Sequence, residues 1–218
     1  MEILRPGDRF PASGASCRVE RLIGKGKSAH SYLARRGGAR VVLKVMHDEP
    51  NPYYRFEGNR ADPEREAYRS LLRIGIPVPR LLLFDREKRF LVKEYLEGPT
   101  AAERIAGGGD PSSMLPGLFS IARLARRSGL NLDWFPTNFL LRRERLFYID
   151  YEVNEYDPEW SLENWGLFYW ANEEGMARFL ETGDPSFIND PPESGRPIEE
   201  PFRKKVGGWV ERFGDGGS

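Results

Sequence analysis

Apolar residues in the first hundred positions fall in short runs, and the clearest runs alternate. The stretch "AHSYLARR" from Ala29 has period two, Gly37-Gly38 follows as a tight turn, and "ARVVLKVM" resumes at Ala39. This pattern predicts a β-hairpin. The period then lengthens in "DPEREAYRSLLRIGIPVP". Ala67, Leu71 and Ile74 fall on one helical face, with Tyr68 and Leu72 adjoining it. Asp62 is placed to cap this helix, Pro63 suits its first position, and Gly75 and Pro77 end it. "PRLLLFD" and "RFLVKEYLEG" read as a second strand pair, and "RLFYI" as a strand running up to Asp150. A tryptophan-rich helix is predicted from Ser161. Ser161 and Asn164 supply its cap, and Leu162, Trp165 and Tyr169 lie at helical spacing. "DPSFINDPPESGRPIEEPF" reads as an irregular connection, and "FRKKVGGWVERF" as a last helix weakened by Gly207-Gly208. Strands first and helices later make an α+β chain.

Composition narrows the field. The 218 residues are 39% hydrophobic and 30% charged, an ordinary globular balance. The formal net charge is zero, so there is no global electrostatic case for nucleic acid or membrane partners. Cys17 is the sole cysteine, which excludes an intrachain disulfide and a multi-cysteine metal site. "MEILRPGDRF" lacks the apolar core of a signal peptide, and no apolar run approaches spanning length. A cytoplasmic location is expected.

The chemistry starts with "LIGKGKSAHSYLAR". Gly26, Lys27 and Ser28 match the second half of a Walker A loop, but Arg21 stands where its first glycine belongs. A strand also follows the loop, where a Walker loop needs a helix. A glycine-rich loop between two strands is instead the arrangement that covers nucleotide phosphates in protein kinases. Gly24, Gly26 and Ala29 fill its G-x-G-x-x-G pattern, with Ala29 replacing the third glycine. Downstream, Lys44 lies inside an apolar strand, where burial requires a partner. Glu66 borders the apolar face of the predicted helix, and Glu64, most of a turn away, is the competing choice. Asp133 and Asn138 have the spacing D-x-x-x-x-N, and Asp150 follows a strand-like run twelve residues after Asn138. A carboxylate near an acceptor hydroxyl, oxygen ligands for magnesium and a cation on the phosphates are what phosphoryl transfer needs.

On these residues the chain resembles the protein-kinase-like superfamily over about residues 17 to 170. The likeness is closer to its small atypical members, the RIO-type kinases and the aminoglycoside phosphotransferases. "EREAYRSLLRIGIPVPRLLLFD" is similar to their helix and the segment after it. The resemblance implies a bilobal fold. Residues 1–97 would form a five-stranded antiparallel N-lobe with one helix, and 98–218 a compact, mostly helical C-lobe. It implies ATP and Mg2+ as cofactors. Gly24, Lys25, Gly26, Lys27 and Ser28 would cover the phosphates. Lys44 would hold them, and Glu66 would orient Lys44. Backbone groups of Glu94 to Leu96 would bind adenine. Asp133 would act on the acceptor hydroxyl, and Asn138 and Asp150 would bind magnesium.

There are departures. Asn131-Leu132 stand where the family has histidine before the catalytic loop, and Phe135 stands where it has lysine or histidine. Lys93 takes the place of an apolar gatekeeper, and no A-P-E sequence closes an activation segment. The acidic run Glu152, Glu155, Asp157, Glu159 reads as a solvated loop or as a site for a cationic substrate or second metal. The expected activity is phosphotransfer to an unidentified hydroxyl acceptor, on a protein serine or threonine or on the enzyme itself. The alternatives are a small-molecule kinase and a nucleotide-binding pseudokinase module. No membrane or nucleic acid partner is expected.

Overall fold

A computed structural model describes residues 3–26, 28–48, 59 and 61–214. The chain divides into two compact units. The first comprises the described residues up to Ser70 together with Pro79–Leu96, and the second comprises Leu71–Val78 and the described residues from Glu97 onward. No helix among the described residues is long and apolar enough to cross a membrane.

The first unit is a curled antiparallel sheet. Its strands are β1 (Arg9–Ala12), β2 (Ala15–Lys25), β3 (Ala29–Arg36), β4 (Ala39–Met46), β5 (Leu81–Asp85) and β6 (Phe90–Glu94), in the order β1-β2-β3-β4-β6-β5. The hairpin read around Gly37-Gly38 is present, with Arg36 opposite Ala39. Among the described residues the sheet has six strands rather than five. The added strand is β1, which turns back at Gly14 (φ 77°) and pairs Ala12 with Ala15. "RFPA" is too short to show a period, and its proline argues against a strand. What holds it is Phe10, whose ring meets Phe90 edge-on at 5.0 Å. Phe10 packs on a core of Cys17, Val19, Tyr32, Ala34, Leu43 and Val92.

Helix α1 spans Ala61–Arg73. Its first turn is secured by Asn59, whose Oδ1 accepts from the Ala61 N–H at 3.0 Å, so the capping expected of Asp62 falls to Asn59. Asp62 instead accepts from Arg86 Nε at 2.8 Å. At the other end Ile76 N–H bonds Leu71 O and Gly75 N–H bonds Leu72 O, with Gly75 at φ 82°. This is a Schellman closure, which needs the left-handed residue that glycine supplies.

The second unit holds α2 (Ala101–Ala106), α3 (Leu115–Arg127), β7 (Leu130–Asn131), the hairpin β8 (Phe139–Arg142) and β9 (Arg145–Tyr148), and β10 (Asn154–Glu155) paired with β7. Helices α4 (Leu167–Ala171), α5 (Glu173–Thr182) and α6 (Arg203–Phe213) follow. A capping box of Thr100 and Glu103 starts α2. The core is aromatic. Trp134 stacks on Phe139 at 6.1 Å, and Phe139 also meets Tyr148 at 5.3 Å and Trp170 at 5.5 Å. The Trp170 indole N–H donates to Trp134 O at 2.8 Å.

The tryptophan-rich helix begins where expected, with Ser161 Oγ accepting from Asn164 N–H at 3.2 Å. Its first turn, Leu162–Gly166, is π rather than α. Gly166 sits where a Cβ would lie 2.4 Å from Trp134 Cβ. Gly166→Ala is therefore expected to destabilise the protein by about 1–3 kcal/mol through overpacking. A lowered urea midpoint at unchanged slope checks it.

Candidate active site

In the first unit the glycine loop joins β2 to β3. The Gly26 N–H donates to Ala29 O at 2.8 Å, and a Cβ on Gly26 would lie 3.2 Å from that oxygen. Gly24 pairs with Ser31 beyond a β-bulge, and Lys25 with His30. Ser28 O accepts from the His47 N–H at 3.0 Å. Lys27, expected in the same loop, lies outside the described residues.

Two residues that the sequence reading passed over support this loop. His47 Nε2 lies 3.1 Å from Gly26 O, and since a carbonyl only accepts, Nε2 carries the proton. The His47 ring lies against His30 with centroids 4.4 Å apart, and both residues are buried. They fall in an apolar strand and at a strand end, where nothing in the hydrophobic pattern marks them.

Lys44 forms an ion pair with Glu64, not with Glu66. The side chains of Lys44 and Glu64 are 12% and 10% exposed. Glu66 is 59% exposed and binds Arg69 at 2.9 Å. The reason is helical phase. Glu64 precedes the buried Ala67 by three residues, about 60° around the axis, whereas Glu66 precedes it by one, about 100°. The buried face of α1 is thus Ala61, Glu64, Ala67 and Leu71.

Lys93 is directly opposite Val42 and shares its face of the sheet, the face of Lys44 and away from Val41 and Leu43 in the core. It is 6% exposed. The Glu94 N–H donates to Arg80 O at 2.8 Å, and its carboxylate accepts from Arg80 Nε at 3.2 Å. Leu96 is buried beyond the end of the strand.

In the second unit Asp133 Oδ1 accepts from the Phe135 N–H at 3.1 Å. Asn138 Nδ2 donates to Asp133 O at 3.4 Å, and Asn138 O accepts from the Ile149 N–H at 2.8 Å. The β8–β9 ladder therefore continues one pair past Phe139 and Tyr148, and Asp150 comes next. Asp150 Oδ1 accepts from the Tyr151 N–H at 2.9 Å. Asn138 is tied to Asp133 by its side chain and to Ile149, next to Asp150, by its backbone, and the charges of Asp150 and Asp133 both reach Tyr148. Burial first, then the charges of Asp150 and Asp133, push this phenol well above its usual range. The Tyr169 hydroxyl is likewise raised, by burial and then by Asp133. Because its NH2 is tied to the backbone, Asn138 leaves its amide oxygen for other partners. That oxygen and the Asp150 carboxylate are donors of the type magnesium takes, while no group of three or more His, Cys, Asp or Glu side chains that could hold a metal ion is found among the described residues.

Phe135 is part of an aromatic chain, edge-on to Tyr169 at 4.9 Å and to Phe179 at 5.7 Å. Trp165 meets Tyr169 at 5.1 Å and Trp160 at 5.9 Å, so these rings pack on one another as core and rim. Asn131 is buried and donates from Nδ2 to Asp157 O at 2.7 Å. The acidic run is structured locally. Asp157 caps a short turn through the Glu159 N–H, Glu159 pairs with Arg196, and Glu155 belongs to β10.

No protein-family model matches the sequence, and no curated protein matches it. Solved structures do match, 1468 chains in all. One is the crystal structure of the BubR1 kinase domain, aligned with a TM-score of 0.50 at 18% identity over 69% of this chain. The fold is protein-kinase-like. The alignment takes in 51% of the BubR1 chain, so this chain spans about half the length of that match.

Two outcomes are expected. Glu64→Ala removes a carboxylate paired with a buried ammonium and should cost about 3 kcal/mol, whereas Glu66→Ala should stay within about 0.5 kcal/mol. Urea melts of both variants check which glutamate is the partner. For pH, a phenol with a raised folded pKa binds its proton more tightly folded than unfolded. Its contribution is full below the unfolded value of 10.0 and is lost as pH rises toward the folded value. Stability should therefore fall above about pH 10, and less steeply in Tyr169→Phe, as read from urea midpoints across that range.

Proposed function

We propose that the protein is an ATP- and Mg2+-dependent phosphotransferase that moves the γ-phosphoryl group to a hydroxyl. A serine or threonine of a protein, its own chain included, is the favoured acceptor. The observation that carries this reading is the buried Lys44–Glu64 pair. A lysine in mid-strand, held by a helix carboxylate, is a positioned cation of the kind kinases place on nucleotide phosphates. Asp133, Asn138 and Asp150, linked by the hydrogen bonds of Asn138 to Asp133 and to Ile149, are of the types the same chemistry needs, an acid and oxygen ligands.

In this mechanism Lys44 holds the phosphates and Glu64 fixes its ammonium. Gly24, Lys25, Gly26, Lys27 and Ser28 cover the phosphates, with Lys25 and Lys27 adding positive charge. With the Glu94 N–H already committed to Arg80, adenine pairs with the backbone further along, toward Leu96. The Asp133 carboxylate aligns the acceptor hydroxyl and takes its proton. The hydroxyl oxygen bonds the γ-phosphorus, the bond from that phosphorus to the β–γ bridging oxygen breaks, and ADP leaves. The Asn138 amide oxygen and the Asp150 carboxylate would hold magnesium, which would supply charge neutralisation on the phosphates.

A second reading, a nucleotide-binding pseudokinase, is favoured by Phe135. Its aromatic packing leaves no cation two residues after Asp133. Turnover separates the readings. The purified protein is incubated with magnesium and γ-labelled ATP, alone and with generic protein acceptors. Label on protein that drops by ~10²–10⁴-fold in Asp133→Ala supports the enzyme. Magnesium-dependent ATP binding with no transfer to protein or to a panel of small hydroxyl compounds supports the pseudokinase.

A further inference from the structure

The strand register of the first unit carries a feature that phosphotransfer does not use. Arg9 is directly opposite Arg18, Arg18 opposite Arg35, and Arg35 opposite Arg40. Directly opposed residues share a face, so four guanidiniums stand in one row across β1, β2, β3 and β4. All four residues are exposed. Neighbouring strands lie about 4.8 Å apart, so the row is about 14 Å long. Like charges placed directly opposite destabilise a sheet. The carboxylate present is Glu20, which accepts from Arg35 Nε at 2.6 Å and lies 3.6 Å from Arg40 Nε. Asp8, the residue before β1, uses its carboxylate to accept the Arg5 N–H at 2.8 Å. Among the described residues, Arg9 and Arg18 have no salt-bridge partner. The row therefore has three positive charges in excess on a chain whose formal net charge is zero.

We propose that this arginine row docks an acidic helix of a protein partner. The spacing favours a helix. Carboxylates at alternating four- and three-residue steps rise about 6.0 and 4.5 Å, on average near the strand spacing and within reach of flexible arginines. Like-facing side chains of an extended peptide repeat at about 6.8 Å and would leave arginines unmatched. Single-stranded nucleic acid is held by aromatic platforms between basic groups. Besides Glu20, the strand residues that share this face near the row are Pro11, Ser16, Arg21, Leu33 and Val42, none of them aromatic. The inference is independent of the phosphotransfer reading.

The test uses the full chain and a fluorescent alanine-based peptide with glutamates at i, i+4, i+7 and i+11. The same peptide with glutamines, an RNA oligonucleotide and a DNA duplex of matched charge run beside it. Binding of the glutamate peptide is expected, absent for the glutamine peptide and weakened by salt. The double variant R18E/R40E should lower its affinity by roughly tenfold or more. Thermal melting of that variant should hold or rise, since opposed like charges are relieved. Four results would overturn the proposal. They are no binding of the glutamate peptide, binding unchanged in R18E/R40E, preference for RNA or DNA over the peptide, or a variant that loses affinity together with its melting transition.

Discussion

A buried ammonium cannot stay unpaired, and that constraint organises the first unit. Lys44 stands in the central strand of the sheet with its side chain turned from the apolar core. Its carboxylate must come from outside the sheet, and α1 brings it. Meeting that demand fixes the rotation of the helix. With Glu64 inward, Ala61, Ala67 and Leu71 are inward too, and Leu72 is left at the surface. The ends of α1 suit this phase, with Asn59 securing the start and Gly75 the close.

The second unit answers to a different constraint, the packing of large flat rings. Trp134 lies between the two halves of D-x-x-x-x-N. It is held through its carbonyl by Trp170 and through its ring by Phe139. Gly166 is the residue that lets the helix backbone approach that closely. The segment carrying Asp133 and Asn138 is thus fixed by core contacts next to each of them rather than by contacts of its own polar groups alone.

Much of this was legible in the sequence. The hairpin over Ala29–Met46 follows from strict alternation around a glycine pair, and the Ser161 cap from side-chain chemistry at a helix start. The order of Gly24, Lys44, Asp133, Asn138 and Asp150 pointed to the kinase-like fold before any coordinates. What was missed has physical causes. β1 is held by one phenylalanine rather than by a pattern. Glu66 looked adjacent to the apolar face because sequence adjacency was weighed above angle. The π turn at Leu162–Gly166 ends on a close approach of Gly166 to Trp134, thirty-two residues earlier, which no local window contains. The arginine row needs the register of four strands at once, and the positions of Arg9, Arg18, Arg35 and Arg40 in the chain give no hint that they align.

That row also makes the charge of the neutral chain uneven, with a local positive excess on one sheet face. Equal numbers of acidic and basic side chains describe the sum and not the arrangement. Near its isoelectric point, where a uniform charge distribution would leave it indifferent to an ion exchanger, the protein should still be retained by a cation-exchange resin and oriented on it. A measurement of net charge alone would call this surface featureless.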